Sequence, residues 1–120
     1  MIIVKIIGGL GNQMFQYATA YSYSKTVYLD FSFLASQNAT NYHFTKRDFE
    51  LTLFPNLKYK EFTEFHHNLF FSKSRKYRLL RKLFQIKLNL IKQQENELVH
   101  IQKNRHIYFD GYFQSEQYFL

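Results

Sequence analysis

The stretch that decides the fold is residues 1–12, which read MIIVKIIGGLGN. Its first part, Met1–Ile7, is rich in β-branched residues, a composition typical of a strand buried on both faces. Gly8 and Gly9 then end the run, because glycine favours turns over extended structure. The stretch therefore predicts a central β-strand followed at once by a glycine-rich loop.

A helix and a second strand follow this loop. Over Asn12–Lys25, apolar residues recur at spacings of three and four, at Met14, Tyr17, Ala18 and Tyr21. This pattern predicts an amphipathic helix, and Asn12 is a residue type that caps the first turn. Val27–Phe31 then indicates a second strand. A strand–helix–strand unit of about 30 residues favours parallel pairing, so we predict an α/β fold with a Rossmann-like parallel sheet.

Length and composition exclude several classes of protein. With 120 residues the chain has room for one domain, 1–120. The absence of cysteine excludes a disulfide framework, a zinc ribbon and a thiol nucleophile, and 4 Gly with 1 Pro are too few for a disordered or collagenous chain. No apolar run approaches the roughly 18–20 residues that cross a bilayer, and Met1–Ile7 is too short for a leader. We therefore expect a cytoplasmic protein.

The remaining elements are shorter. Ser36–Asn41 is polar and indicates a loop. Leu98–Ile101 and His106–Phe109 are candidate short strands. After the second of these, the pattern predicts a turn at Asp110-Gly111 and the start of a final helix.

The positive charge is concentrated in one segment. The formal net charge is +7 and aromatic residues make up 20% of the chain, a combination that ordinarily suggests a nucleic acid or an anionic membrane. Phe65–Gln94 contains no acidic residue and these basic ones: Lys73, Arg75, Lys76, Arg78, Arg81, Lys82, Lys87 and Lys92. The rest of the chain has 8 basic against 9 acidic residues, a net charge of −1. Because the basicity belongs to one segment, we expect no nucleic-acid partner.

The same segment predicts an amphipathic helix over Arg75–Lys92, residues 75–92. One apolar stripe comprises Tyr77, Leu80, Phe84, Leu88 and Ile91, and an adjacent stripe comprises Leu79, Leu83, Ile86 and Leu90. The cations fall on the opposite face. Two interpretations stay open. The helix packs its apolar face on the domain, or it lies on an anionic membrane surface as a peripheral module, with cations among the headgroups.

The glycine loop itself has several interpretations. Gly9, Leu10 and Gly11 match the start of the dinucleotide fingerprint G-x-G-x-x-G, but Met14 occupies the third glycine position. Asp30 lies near the distance expected for a ribose-binding acid. A purely structural turn between strand and helix fits the spacing equally well. The free N–H groups of a helix N-terminus also suit a phosphate or another anion.

Three longer segments carry a more specific signal. Gly8–Ala18, which reads GGLGNQMFQYA, closely resembles the N-terminal signature of the α-1,2-fucosyltransferase family, glycosyltransferase family 11. Arg47–Leu51, followed by Phe54, resembles a second segment of that family, and Phe109–Phe119 resembles a third. The three segments occur in the family's order and span nearly the whole chain.

The resemblance implies a fold and a reaction. Enzymes of this family are expected to move L-fucose from GDP-fucose to the 2-hydroxyl of a galactose-terminated glycan acceptor, with inversion and without a metal or a further cofactor. The chain would then correspond to the N-terminal half of a two-domain, GT-B-type glycosyltransferase. Such chemistry needs stabilisation of an oxocarbenium-like sugar and of the departing diphosphate, which cations and amide donors supply.

The resemblance also implies candidate substrate-binding residues. In the first segment these are Gly9, Gly11, Asn12 and Gln13. The loop backbone would approach the donor phosphates, and the two amides would hold sugar or phosphate oxygens. For Asn12 a simple helix cap is the alternative. In the third segment the candidates for acceptor contacts are Asp110, Tyr112 and Gln114, with a turn and a core aromatic as the alternative.

Two absences shape these expectations. The family's His-x-Arg-Arg-x-Asp motif, implied to hold the diphosphate, does not occur in the chain. We therefore expect the C-terminal nucleotide-binding half to be absent. The chain is then either a functional piece that needs a further polypeptide or a truncated non-catalytic fragment, and the purified chain should show no transfer. His66 and His67 lack further ligands at metal spacing, so we expect a surface pair and no metal site.

Overall fold

The computed structural model describes residues 1–39, 48–93, 106–115 and 118. The strands among them are β1 (Ile2–Lys5), β2 (Val27–Asp30), β3 (Lys60–Glu61), β4 (Asn89–Lys92) and β5 (Ile107–Asp110). The helices are α1 (Leu10–Tyr21), α2 (Ser32–Ala39), α3 (Glu64–Phe71) and α4 (Arg75–Leu83), with a short 3-10 turn at Leu51–Leu53. No helix in these described ranges is long and apolar enough to cross a membrane.

The described strands form one parallel sheet in the order β3-β2-β1-β5-β4. In register, Ile2 of β1 pairs with Val27 of β2 on one side and with Ile107 of β5 on the other. The predicted α/β class, the central position of β1 and the parallel strand–helix–strand unit are therefore confirmed. His106–Phe109 is confirmed as a strand that runs one residue further along, whereas Leu98–Ile101 lies outside the described residues.

The strand order reverses direction next to β1. From β1 the chain moves outward through β2 to β3, whereas β5 and β4 lie on the other side of β1. In open parallel sheets, ligands bind in the crevice at the carboxyl ends of the strands where the order reverses. The crevice here is bounded by the segments that follow β1 and β5.

Both faces of the sheet are covered by helices. Since alternate residues of each strand point to opposite faces, the strands β2, β1 and β5 contribute side chains to two buried clusters. One face packs under α1 with Val4, Leu29 and Phe109, all fully buried. The other face packs under α3, where Ile3 and Tyr108 meet Phe62 and Phe70. Since the central strands are buried on both faces, they show the continuous apolar runs seen in the sequence.

Helix α1 begins earlier than its sequence predicts. Gly9 is the N-cap, in an extended conformation at φ −86° and ψ −172°, and its carbonyl accepts from the Gln13 amide at 3.0 Å. Asn12 is therefore inside the first turn, and its predicted capping role is wrong. The helix also ends at Tyr21, short of Lys25. Moving the N-terminus to Leu10 brings the first turn directly against the glycine loop.

The predicted helix over residues 75–92 is wrong in its second half. The helix ends at Leu83, and the chain reverses at Gln85, whose φ is +53°. The Ile86 amide donates to the Arg81 carbonyl at 2.9 Å, closing the helix end with a Schellman-type bond. Ile86 and Leu88 then pack against the buried face that contains Ile3. Burial of these two side chains on the sheet stabilises the chain more than further helical turns would. The chain therefore leaves the helix and continues into β4.

Ser36–Asn41 also differs from its prediction as a loop. Its residues up to Ala39 belong to α2. Residues 40 and 41 lie outside the described part of the chain. At the other end of the sequence, the chain bends at Gly111 after β5, as predicted, and the Tyr118 amide donates to the Ser115 carbonyl at 3.2 Å.

Candidate functional site

Two segments distant in sequence meet at the reversal point of the sheet. The loop after β1 leads into α1, and the segment after β5 runs past it. The Gln114 side-chain amide donates to Oδ1 of Asn12, although the two residues are 102 positions apart. Asn12 is half-buried and Gln114 is exposed. The structure therefore brings two of the sequence-predicted site residues into direct contact at the carboxyl edge of the sheet.

The glycines of the first loop differ in what they do. Gly8 has a φ of +78°, and a Cβ there would lie 2.5 Å from Nδ2 of Asn12, so only glycine fits. Gly11 is exposed, and a Cβ there would meet nothing within 4 Å. The fold does not need glycine at Gly11. The space beside its backbone is open to a ligand.

The first turn of α1 is electrostatically suited to an anion. It contains no acidic residue. The first N–H groups of a helix have no intrahelical acceptor, and the helix dipole adds partial positive charge at this end. Together with the open space beside Gly11, these donors form a surface that fits a phosphate-like group.

Gln13 has a structural task at the same place. Its side chain is fully buried. Nε2 donates to the carbonyls of Gly8 at 2.9 Å and Asp48 at 2.8 Å, and Oε1 accepts from the Glu50 amide at 2.9 Å. Both amide hydrogens are used within the chain. Gln13 thus holds the loop in place through its buried side chain. Because its amide has no hydrogen left to donate, the predicted contact with a ligand is not made in this conformation.

The segment after β5 is anchored by its middle residue. Phe113 is fully buried at φ +51°, and its backbone amide donates to Oε1 of Gln93. Tyr112, 38% exposed, and Gln114 lie on either side of it. The alternative that made Tyr112 a core aromatic is therefore wrong, because the buried aromatic is its neighbour Phe113. The anchored loop presents its two neighbours at the crevice rim.

Lys5 is a residue of this edge that the sequence did not single out. It ends β1, and its Nζ lies 3.7 Å from Oδ1 of Asp110 and 5.2 Å from the ring centre of Phe33. Asp110, a predicted site residue, is half-buried and also ends its strand. The pair places one positive and one negative group at the ends of two central strands. Only the topology could identify it, because parallel pairing aligns these residues.

Asp30 is a buried network residue. Its side chain is only 1% exposed, and it accepts hydrogen bonds from the Tyr108 hydroxyl and, at 2.9 Å, from the Ser32 amide. Nε2 of His67 lies 3.0 Å from Oδ1. These partners occupy the carboxylate, so it is not placed to hold a ribose. The interpretation of Asp30 as a ribose-binding acid is therefore wrong for this structure.

The network shifts two pKa values in opposite directions. Burial raises the pKa of Asp30, but the hydrogen bonds from Tyr108, Ser32 and His67 outweigh it and lower the pKa below its ordinary value. Burial, and then the bond to the Asp30 carboxylate, raise the pKa of Tyr108 far above its ordinary value. The carboxylate is therefore charged and the phenol neutral over the whole physiological range.

A pocket of about 360 Å³ opens beside this network, at the ends of β2 and β3. Its lining includes Ser32, Thr63, Glu64 and His67. The His67 side chain is 31% exposed, so this half-buried histidine is less exposed than the predicted surface pair. When a buried carboxylate such as Asp30 bonds one nitrogen of a histidine ring, it fixes the orientation of the ring. The other ring nitrogen is then placed to accept a proton from a hydroxyl. The sequence carried no signal for this arrangement, because Asp30 and His67 are 37 positions apart.

The described acidic and imidazole side chains do not cluster as metal ligands. Within residues 1–39, 48–93, 106–115 and 118, no group of three or more His, Asp or Glu side chains is placed to hold a metal ion.

Comparison with known proteins gives no relative. No protein-family model matches the chain, and no match was found among the curated proteins or the solved structures.

Proposed function

We propose that the domain is the N-terminal part of a GT-B-type α-1,2-fucosyltransferase, which moves L-fucose from GDP-fucose to the 2-hydroxyl of a galactose-terminated acceptor. The convergence of three segments supports this proposal. Each resembles a segment of that family, and the first contacts both of the others. The first reaches the second through Gln13, which bonds to Asp48 and Glu50, and the third through Asn12, which bonds to Gln114.

The proposed reaction sets clear demands on the edge. The 2-hydroxyl oxygen of galactose attacks the anomeric carbon of fucose from the side opposite the diphosphate. The bond from that carbon to the diphosphate oxygen breaks, GDP leaves, and the hydroxyl proton passes to a base. Positive charge develops on the sugar ring and negative charge on the diphosphate. Fixed donors beside the diphosphate therefore lower the barrier.

The glycine loop serves the donor in this proposal. The backbone of Gly9 and Gly11 approaches the phosphates, as the open space at Gly11 permits. The amide of Asn12 holds a sugar or phosphate oxygen, with its orientation fixed by Gln114. Lys5 adds a positive charge at the same edge, balanced in the free protein by Asp110.

The acceptor is served by the rim and the pocket. Tyr112 and Gln114 offer an aromatic face and an amide, and Asp110 offers a carboxylate, which are groups that bind sugar hydroxyls. His67, oriented by Asp30, is the group in the pocket best suited to accept the hydroxyl proton. An inverting transfer needs one such base, and the sequence left it unassigned.

Chemical-shift mapping on the ¹⁵N-labelled chain tests the proposal. GDP-fucose and lactose serve as separate probes. We expect GDP-fucose to shift the amides of residues 8–12 and 111–114, and lactose to shift those of residues 110–114 and the ring signals of His67. Asn12→Ala should weaken the GDP-fucose response, whereas Asn56→Ala, an exposed turn residue, should leave it unchanged.

Two results would overturn the proposal. One is the absence of shifts at the carboxyl edge with either probe at millimolar concentration. The other is binding of NAD at the same edge in competition with GDP-fucose, which would return the loop to a dinucleotide-binding role.

A further inference from the structure

The segment around α4 presents apolar side chains to solvent. Leu79 and Leu83 are 65% and 69% exposed, and Phe84, directly after the helix, is 65% exposed. No residue of α4 is buried. Single exposed apolar residues are ordinary, but three neighbouring ones on one short element indicate a binding surface.

The inward face of α4 is set by an arginine. The Arg81 guanidinium donates to the carbonyls of Asn68 at 3.3 Å, Leu69 at 2.8 Å and Ser72, at the end of α3. Tyr77 and Leu80, on the same side, are half-buried. This arrangement reverses the usual amphipathic pattern, because a cation points inward and two leucines point outward.

Cations flank the outward leucines on both sides. By helical periodicity, Lys76 lies on one side of the line from Leu79 to Leu83, and Arg75 and Lys82 lie on the other. All of these side chains are exposed. The outward face is thus an apolar stripe bordered by positive charge, and no acidic residue occurs between Phe65 and Gln94 to neutralise it.

A basic depression lies at the end of the helix and shares Lys82 with this surface. It is open, about 700 Å³ in volume, and lined by Arg81, Lys82, Gln85, Ile86 and Lys87. The reversal of the chain at Gln85 forms it. Apolar side chains next to cationic hollows match the two layers of a lipid surface, in which acyl chains lie directly below phosphates.

We propose that this outward face, Leu79, Leu83 and Phe84 with the flanking cations, binds the surface of an anionic lipid bilayer. The proposal goes beyond the proposed function and does not depend on it. A nucleic acid would attract the cations but leave the leucines in water. A second copy of the chain would cover the leucines but bring like charges together. An anionic bilayer satisfies both features of the surface.

A single tryptophan reports on insertion, because the chain has none of its own. In Phe84→Trp, vesicles with about 30% phosphatidylglycerol in phosphatidylcholine should shift the emission to shorter wavelength. Brominated acyl chains should then quench it. Leu53→Trp places the reporter at a residue that is 68% exposed outside the segment, and its emission should not change.

Flotation with the same vesicles measures how much the two leucines contribute to binding. The double variant Leu79→Ser with Leu83→Ser should lower the partition coefficient at least about tenfold. Leu53→Ser removes an equally exposed leucine and should leave partitioning unchanged. Because these side chains contact little of the fold, circular dichroism should show all variants folded.

Charge is tested in the same assay. Lys76→Gln with Lys82→Gln, one cation from each side of the stripe, should reduce binding at low salt by about 25-fold, whereas Lys25→Gln with Lys58→Gln, an equal charge change outside the segment, should reduce it far less. Raising ionic strength from about 0.05 to 0.5 M should weaken wild-type binding strongly.

Four results would overturn the proposal. They are no binding, equal binding to neutral phosphatidylcholine vesicles, unchanged binding by the double serine variant, and tight binding of a single-stranded RNA that the serine substitutions do not affect. A blue shift of Phe84→Trp without vesicles, accompanied by dimers in sedimentation, would assign the surface to a second copy instead.

Discussion

The glycine loop and the α4 segment treat their side chains in opposite ways. In the loop, an amide that could face solvent, that of Gln13, is fully buried and bonded to three backbone groups. In α4, leucines that could be buried are exposed, and Arg81 takes the inward position. The loop is therefore held by buried hydrogen bonds, with an open space beside Gly11. Residue type alone therefore does not tell which side chains stabilise the fold and which are free to contact a partner.

The largest effect is expected at Gln13. Gln13→Ala leaves the Gly8 and Asp48 carbonyls and the Glu50 amide without their buried partner, and each such group costs about 1–3 kcal/mol. We expect a loss of about 3–5 kcal/mol in the free energy of unfolding, measured with urea. Gln114→Ala, at an exposed amide, should cost less than about 1 kcal/mol. An equal loss of unfolding free energy in the two variants would contradict the conclusion that the buried hydrogen bonds of Gln13 stabilise the loop.

The next largest effect is expected at Gly8, and Gly11 in the first turn of α1 should respond in the opposite direction. Gly8→Ala forces an unfavourable φ and a contact with Asn12, so we expect a loss of about 2 kcal/mol. Gly11→Ala meets no neighbouring atom and replaces a helical glycine, so it should gain about 0.5–1 kcal/mol. Thermal unfolding monitored by circular dichroism measures both. A destabilised Gly11→Ala variant would show that the space beside Gly11 is needed by the fold.

The Asp30 network makes stability depend on pH at both ends of the scale. The pKa of Asp30 is lowered in the folded state, so its stabilisation is present above the unfolded value of 3.8 and is lost as pH falls through the folded value. The pKa of Tyr108 is raised, so stability declines as pH rises above its unfolded value of 10.0. Urea unfolding across both ranges measures these slopes.

Tyr108→Phe removes the hydroxyl that bonds the Asp30 carboxylate and keeps the ring. It should cost about 1.5–3 kcal/mol at neutral pH, because the bond to a charged carboxylate is lost, and it should flatten the alkaline slope. Tyr112→Phe, at an exposed ring, should change neither. An unchanged alkaline slope in Tyr108→Phe would assign the titration to another tyrosine.

The smallest effect is expected at the outward leucines. Leu79→Ser or Leu83→Ser should each change the free energy of unfolding by less than about 0.5 kcal/mol, because both side chains are mostly in water. Leu80→Ser, one position away on the half-buried side, should cost at least about 1 kcal/mol. If all three substitutions cost the same, α4 would not have the inward and outward faces described above.

Local patterns in the sequence predicted the central part of the fold. The apolar run of β1 and the glycines identified the start of the parallel unit, because buried parallel strands leave continuous apolar runs. The apolar spacing predicted that α1 is a helix but not which face is buried, since Met14 and Tyr21 are exposed and the buried residues are Gln13, Gln16, Thr19 and Ala20. The end of α4 was missed because Gln85, in place of the usual glycine, adopts the left-handed conformation. Long-range burial of Ile86 and Leu88 decided that reversal, and helical periodicity carries no information about it.

The geometry of the candidate site was predictable in part. The sequence identified Asn12 and Gln114, which meet, but not that Gln13 turns inward. Lys5 and His67 were missed because their significance comes from partners on other strands and helices, Asp110 and Asp30. Such pairings follow from the register of the sheet and not from spacing along the chain.

The most direct test of the account is the affinity of Gly11→Ala for GDP-fucose, measured by the shifts of the amides of residues 8–12. If the open space beside Gly11 receives the donor phosphates, the added methyl group should weaken binding at least about fivefold while the protein becomes more stable. Unchanged affinity in this more stable variant would contradict the account, because it would show that the nucleotide sugar does not approach the glycine loop.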